Sequence, residues 1–134
     1  KAKDIIAAHW KSAGGRVVEM EAKLHDEIFA ATSHLPHVLA YSFVDMLAGH
    51  ESGDEVFRNA GGGFRDFTRI ASSSPQMWHD SVRANADSVA TLLDRQVEEL
   101  QRIRQLMRDG QWDEIKQLFQ RARAARERYL AQIE

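Results

Sequence analysis

Residues 74–112, SPQMWHDSVRANADSVATLLDRQVEELQRIRQLMRDGQW, decide the fold. Trp78, Val82, Val89, Leu93, Val97, Leu100, Ile103 and Met107 recur at threes and fours, which draws one apolar stripe along a helix. Ser74 suits a cap and Pro75 a first turn, so the spacing predicts a single long helix over about 75–108. Asp109-Gly110 marks a stop, and Trp112, Ile115, Leu118, Phe119, Tyr129 and Ile133 restart the stripe over 112–133. Two such helices joined by a short turn make an antiparallel hairpin. The hairpin carries more apolar stripe than the short helices elsewhere can cover, and a second copy of the chain is the simplest cover, so a homodimer is expected. Arg121, Arg123, Arg126 and Arg128 are spread around the second helix and mixed with Glu127, which reads as a solvated face and not a nucleic-acid surface.

Upstream, KDIIAAHWKSA (3–13) reads as a helix stopped by Gly14 and Gly15, and RVVEM (16–20) as a short β-branched strand. A lone strand cannot satisfy its own backbone hydrogen bonds. Residues 1–20 are therefore expected to be the residual edge of a neighbouring α/β domain. From Glu21 onward everything reads as helix: 21–32, about 36–48, 54–59, 64–72, and then the long pair. The fold class is mainly α, with 21–134 an all-helical domain.

The totals agree with one soluble globule. The chain has 134 residues, 43% apolar and 28% charged, enough to close a core. A net charge of −2 and a pI near 6.3 give no electrostatic pull toward nucleic acid or an anionic membrane. There is no cysteine, so thiolate and disulfide chemistry are excluded and a reducing cytoplasm is the natural setting. No apolar run approaches the roughly 20 residues of a membrane span, and no signal peptide is visible. The sequence opens at Lys1 without a methionine, and a piece of a longer protein is expected.

Two segments carry chemistry. In SHLPHVLAYSFVDML (33–47), Pro36 fits the first turn of a helix and pushes Leu35 away from helical geometry, so a helix entrance is expected. The apolar run after it places this helix centrally. His34 and His37 then sit at its N-terminal end, where anions are favoured, and two imidazoles there can donate to a carboxylate or hydroxyl. The same histidines also suit plain core or capping roles, and His25, Asp26, His34, His37 and His50 offer zinc ligands, although without cysteine or an HExxH spacing. The second segment is AGGGFRDFTRIASSSPQMW (60–78). Three glycines let backbone approach a ligand closely. In the short helix from Phe64, Phe64, Phe67 and Ile70 are expected on the buried side. Arg65 and Arg69, four apart, share another side with Asp66. An arginine there can grip a carboxylate bidentately, with Asp66 holding it when no ligand is bound. A glycine loop with ordinary surface ion pairs is the plainer alternative.

His25-Asp26, AATSHLPHVLAYSFVD (30–45) and GGGFRDFTRIASSSPQMW (61–78), in this order and spacing, resemble the C-terminal domain of prephenate dehydrogenases and the related arogenate and cyclohexadienyl dehydrogenases. The resemblance runs from about Gly14 to the end and weakens through the hairpin. WKSAGGRVVEM (10–20) resembles the last helix and strand of that family's dinucleotide-binding domain. The resemblance implies NAD(P)-dependent oxidative decarboxylation of prephenate to 4-hydroxyphenylpyruvate in tyrosine biosynthesis, or of arogenate to tyrosine. It implies that His34 and His37 line the substrate pocket, that Gly62 approaches substrate by its backbone, and that Arg69 binds a substrate carboxylate. Asp66, with Arg65, resembles residues whose ion pairs gate the pocket, and Trp78 resembles one that reaches into the partner subunit's site. The family's catalytic histidine lies in its dinucleotide domain, so no catalytic residue, no metal and no tightly bound NAD or NADP are expected of this chain, which should be inactive alone. Tyrosine is a candidate inhibitor of the parent enzyme. The competing reading is a stand-alone helical dimerisation or regulatory module that binds tyrosine or a related aromatic acid.

Overall fold

The computed structural model describes residues 1–133. Among them there are helices and turns and no strand. The chain divides into two compact units, 1–89 and 90–134.

The first unit opens with α1, Ala2–Ser12. Gly14, at φ +83°, turns the chain back, with Gly15 N–H donating to the Trp10 carbonyl at 2.9 Å. The strand expected at 16–20 does not form: these residues are extended but have no ladder partner among the described residues, and a strand without a neighbour cannot bond its backbone. Only Lys3 Nζ to Glu19 Oε2, 2.6 Å, ties the segment to α1 by charge. Ile6, Trp10 and Val18 lie about 60% exposed around a groove of 1020 Å³.

Next comes an almost continuous helical run from residue 22 to residue 48. It consists of α2 (Ala22–Phe29), a π turn (Ala30–His34) and α3 (Leu35–Ala48). The expected entrance at Pro36 is absent, because Leu35 is itself helical (φ −58°, ψ −45°). Proline has no N–H for the carbonyl four residues back and crowds it. The chain answers by widening one turn instead of restarting: Leu35 N–H bonds to the Ala30 carbonyl, five residues back. Ala30 and Ala40, both fully buried, let backbones come close at this point.

Around α3 pack α4 (Gly53–Arg58), α5 (Gly62–Thr68) and a 3₁₀ turn (Arg69–Ser72), while α6 (Pro75–Ala84) packs on the π turn. Phe43 of α3 meets Phe64 and Phe67 of α5 at ring distances of 6.1 and 5.7 Å. Phe64 is part-buried as expected, but Phe67 stays 54% exposed: Phe43 covers only part of its ring, and no further ring meets it among the described residues. Ser74 caps α6 by accepting from Met77 N–H at 3.4 Å, with Pro75 in the first turn. The single helix expected over 75–108 is broken at Asn85 (φ −123°, ψ 33°), which separates α6 from α7, Ala86–Arg108.

The second unit is the antiparallel hairpin of α7, from Ala90, and α8 (Trp112–Ile133). Its turn is a Schellman cap: Gly110 at φ +67° donates to Met107, and Gln111 N–H reaches back to the Leu106 carbonyl at 2.9 Å. Opposite charges face each other across the pair. The Arg102 guanidinium, bonded to Glu99 at 2.7 and 2.8 Å, holds the Glu99 carboxyl below the usual range, helped by the charge of Arg121 on α8. Arg102 is pushed up by Glu99 and further by Glu114 of α8. Ile115 of α8 is buried, while Leu100, Trp112 and Phe119 remain half exposed or more.

Gly53 is required by space. A Cβ there would lie 2.8 Å from the Leu47 carbonyl oxygen and 3.1 Å from that of Ala48, both backbone atoms. Gly53→Ala is expected to destabilise the protein by about 1–3 kcal/mol, as overpacking does, and the denaturant midpoint at fixed protein concentration checks it.

Candidate functional site

The π turn controls where the histidines go. It sets His34 and His37 beside α6, and Trp78 of α6 takes both: its ring stacks on His37 (centroids 3.4 Å apart, planes 19° apart) and meets His34 edge-on at 6.1 Å. His37 Nδ1 lies 2.8 Å from the Ser33 carbonyl, and the Asn85 amide nitrogen lies 3.3 Å from His34 Nδ1. The same Asn85 nitrogen donates to the Asp26 carbonyl at 2.7 Å, fastening the end of α6 to α2. Trp78 Nε1 is buried with no acceptor among the described residues. An unmet N–H of this kind costs about 1–3 kcal/mol.

Below the stack an apolar groove of 430 Å³ runs between α3 and α6, lined by Val38, Tyr41, Pro75, Trp78 and Val82, with His79 and Arg83 at its polar margin. Tyr41 closes one end by donating its hydroxyl to the Ser73 carbonyl at 2.6 Å. His79 bonds Asp80 at 2.8 Å, and with Gln76 it holds the Asp80 carboxyl below its ordinary value.

The glycine segment forms a second group. Gly61 is extended (φ −86°, ψ −175°) and leads into α5, whose first residues are Gly62 and Gly63. A Cβ built on Gly61, Gly62 or Gly63 would meet nothing within 4 Å, and none of the three has positive φ. Arg65, Asp66 and Arg69 are exposed, and among the described residues no ion pair joins Asp66 to either arginine. Thus His34, His37 and Trp78 are brought together, while Gly62, Asp66 and Arg69 line a neighbouring turn. Tyr41 to Ser73 is the hydrogen bond that connects α3 to the end of that turn.

The N-terminal anion site expected at His34 and His37 does not exist, because the helix does not begin there: Leu35 is bonded into the π turn and Pro36 has no N–H to offer. Recognition in this region must use side chains. The offered zinc ligands do not converge; among the described residues no three His, Asp or Glu side chains gather around one point. No helix among them is long and apolar enough to cross a membrane. Sequence reading missed Asn85, whose signal is an asparagine interrupting an apolar stripe, and Tyr41, which passed as one more apolar residue of α3.

Comparison with known proteins gives the family. The family model described as prephenate dehydrogenase, dimerization domain, matches residues 21–121. The chain belongs to that family. A cyclohexadienyl dehydrogenase of Zymomonas mobilis is 37% identical over 123 residues, covering 90% of this chain and 42% of the relative. A prephenate dehydrogenase of Bacillus subtilis is 36% identical over 118 residues, covering 87% and 32%. The crystal structure of prephenate dehydrogenase from A. aeolicus, in complex with hydroxyphenyl propionate and NAD+, superposes with a TM-score of 0.84 at 32% identity, over 92% of this chain and 43% of that one. The chain therefore spans well under half the length of the relatives it matches. The described residues do not fit a dinucleotide: a binding glycine loop joins a strand to a helix, whereas Gly61–Gly63 join two helices in a fold with no strand among the described residues.

Tyr41→Phe removes the one hydroxyl that bonds the Ser73 carbonyl and leaves a part-buried acceptor unmet. A loss of about 1–2 kcal/mol in unfolding free energy is expected from urea titration.

Proposed function

We propose that this chain is the dimer-forming, substrate-side part of an NAD(P)-dependent prephenate or arogenate dehydrogenase, a cytoplasmic enzyme of tyrosine biosynthesis. The whole protein carries out oxidative decarboxylation of prephenate to 4-hydroxyphenylpyruvate, or the matching reaction on arogenate. The dinucleotide and the catalytic histidine belong to residues outside this sequence, and residues 1–20 are the edge of that neighbouring domain. Family membership supports this reading, as does the uncovered apolar face of α1 and the extended segment beside it.

The observation that carries it is the run Gly61–Gly63 followed by Arg65 and Arg69, cations with no ion pair among the described residues. Glycine in a helix costs about 0.5–1 kcal/mol relative to alanine. Gly61 serves as the N-cap of α5, but nothing among the described residues crowds Gly62 or Gly63, so no contact within the chain requires glycine there. A body from outside does, and a carboxylate-bearing substrate that approaches the Gly62 backbone and pairs with Arg69 fits both facts. His34 and His37 orient its remaining polar groups. Asp66 and Arg65, not paired with each other among the described residues, each contribute to the ion pairs that gate the entrance.

A second copy of the chain covers the hairpin. Trp112 and Phe119 are 62% and 58% exposed in a stripe of the kind that oligomers bury. In the dimer, Trp78 contributes to the partner subunit's site.

Arg69→Ala in the intact enzyme is expected to lower kcat/KM by about 2–4 kcal/mol of transition-state binding, and unchanged kcat/KM for prephenate and arogenate would remove the carboxylate role. Phe119→Glu is expected to weaken self-association by about 2–4 kcal/mol, read as a shift from dimer to monomer in sedimentation.

A further inference from the structure

The geometry points to Asn85 as a positioning residue that fixes which ring nitrogen of His34 carries the proton, so that His34 and His37 present one donor and one acceptor to a ligand. The inference rests on the substrate reading proposed for this site and concerns how the site discriminates.

The amide of Asn85 has one permitted orientation. Its oxygen at the Asp26 carbonyl would set acceptor against acceptor, so the nitrogen lies there, at 2.7 Å. The second hydrogen of that nitrogen faces His34 Nδ1 at 3.3 Å. A ring nitrogen that accepts holds a lone pair, so the proton of neutral His34 is on Nε2. His37 is set the other way. Its Nδ1 is 2.8 Å from the Ser33 carbonyl, which can only accept, so Nδ1 carries the proton and Nε2 of the neutral ring holds the lone pair. Neither Nε2 is sealed from solvent without a partner, since Trp78 Nε1 is the buried side-chain nitrogen left unpartnered among the described residues. The stack on Trp78 keeps the plane of His37 fixed while this division holds.

Two imidazoles three residues apart are thus unlike in use. His34 donates to a ligand oxygen, as a carboxylate or carbonyl presents, and His37 accepts from a hydroxyl. A ligand with both groups suits the pair. One that carries acceptors alone meets a lone pair at His37.

Long-range ¹H–¹⁵N spectra of the intact protein, labelled with ¹⁵N-histidine, read the tautomers directly. His34 is expected with a protonated Nε2 and His37 with a protonated Nδ1. Asn85→Asp replaces the donor by an acceptor and is expected to move the His34 proton to Nδ1. Asn85→Ala is expected to give a mixture. A wild-type His34 protonated at Nδ1, or a tautomer that neither variant alters, overturns the positioning role. If a variant fails to fold by circular dichroism, the wild-type spectrum still decides. In turnover of prephenate or arogenate, Asn85→Asp is expected to lose about ten- to hundredfold in kcat/KM, the worth of one hydrogen bond to a charged group. A tautomer that moves with kcat/KM unchanged overturns the donor role of His34. An intact wild-type protein that turns over neither compound defeats the substrate reading instead, and leaves the tautomer assignment standing.

Discussion

Pro36 has no N–H, and the first unit is arranged around that absence. A proline inside a helix must be met by a break, a kink or an altered turn. Here the turn widens: the Ala30 carbonyl is taken by Leu35, five residues on, and the helical run continues almost unbroken to Ala48. The wider turn is where α2 passes into α3. His34 at its end meets Asn85, while His37, three residues later, lies flat on Trp78. Without the π turn the two imidazoles would have to find other neighbours.

Much of this was legible in sequence and some of it was not. The hairpin, the Ser74-Pro75 start of α6 and the Gly110 stop are set by spacing and caps, which are local. The outcome at Pro36 is not local. Proline permits either a fresh helix or a distorted one, and burial of Ala30 and Ala40 against neighbouring elements goes with the second. The break at Asn85 was equally hidden, because its partners, Asp26 and His34, are 59 and 51 residues away. The strand read at 16–20 shows the reverse case. Its β-branched composition is real, but a ladder needs a neighbour, and propensity does not provide one. Family resemblance supplied the roles of Gly62, Asp66 and Arg69, which spacing alone left level with ordinary surface pairs.

The candidate site joins two kinds of order. The histidine and tryptophan stack is held within the chain by several contacts and stands ready before any ligand arrives. The glycine and arginine group is exposed, with no ion pair to Asp66 among the described residues, and on the proposed reading it takes its order from what binds. On that reading one end of a ligand meets rings already held in place and the other meets exposed cations, which keeps the entropic cost at the end where charge compensates it.

The Schellman cap at Gly110 also bears on how the protein assembles. It closes a hairpin whose two arms are adjacent in sequence, so its contacts are formed by short loops and without long chain searches. Such a unit takes shape early, in each chain separately, and at a rate indifferent to concentration. On the proposed dimer, pairing of two finished hairpins then comes as a later, second-order event. During synthesis the stripe of Trp112 and Phe119 is therefore bare for a time that lengthens as the protein becomes scarcer, and that interval is when aggregation competes with assembly.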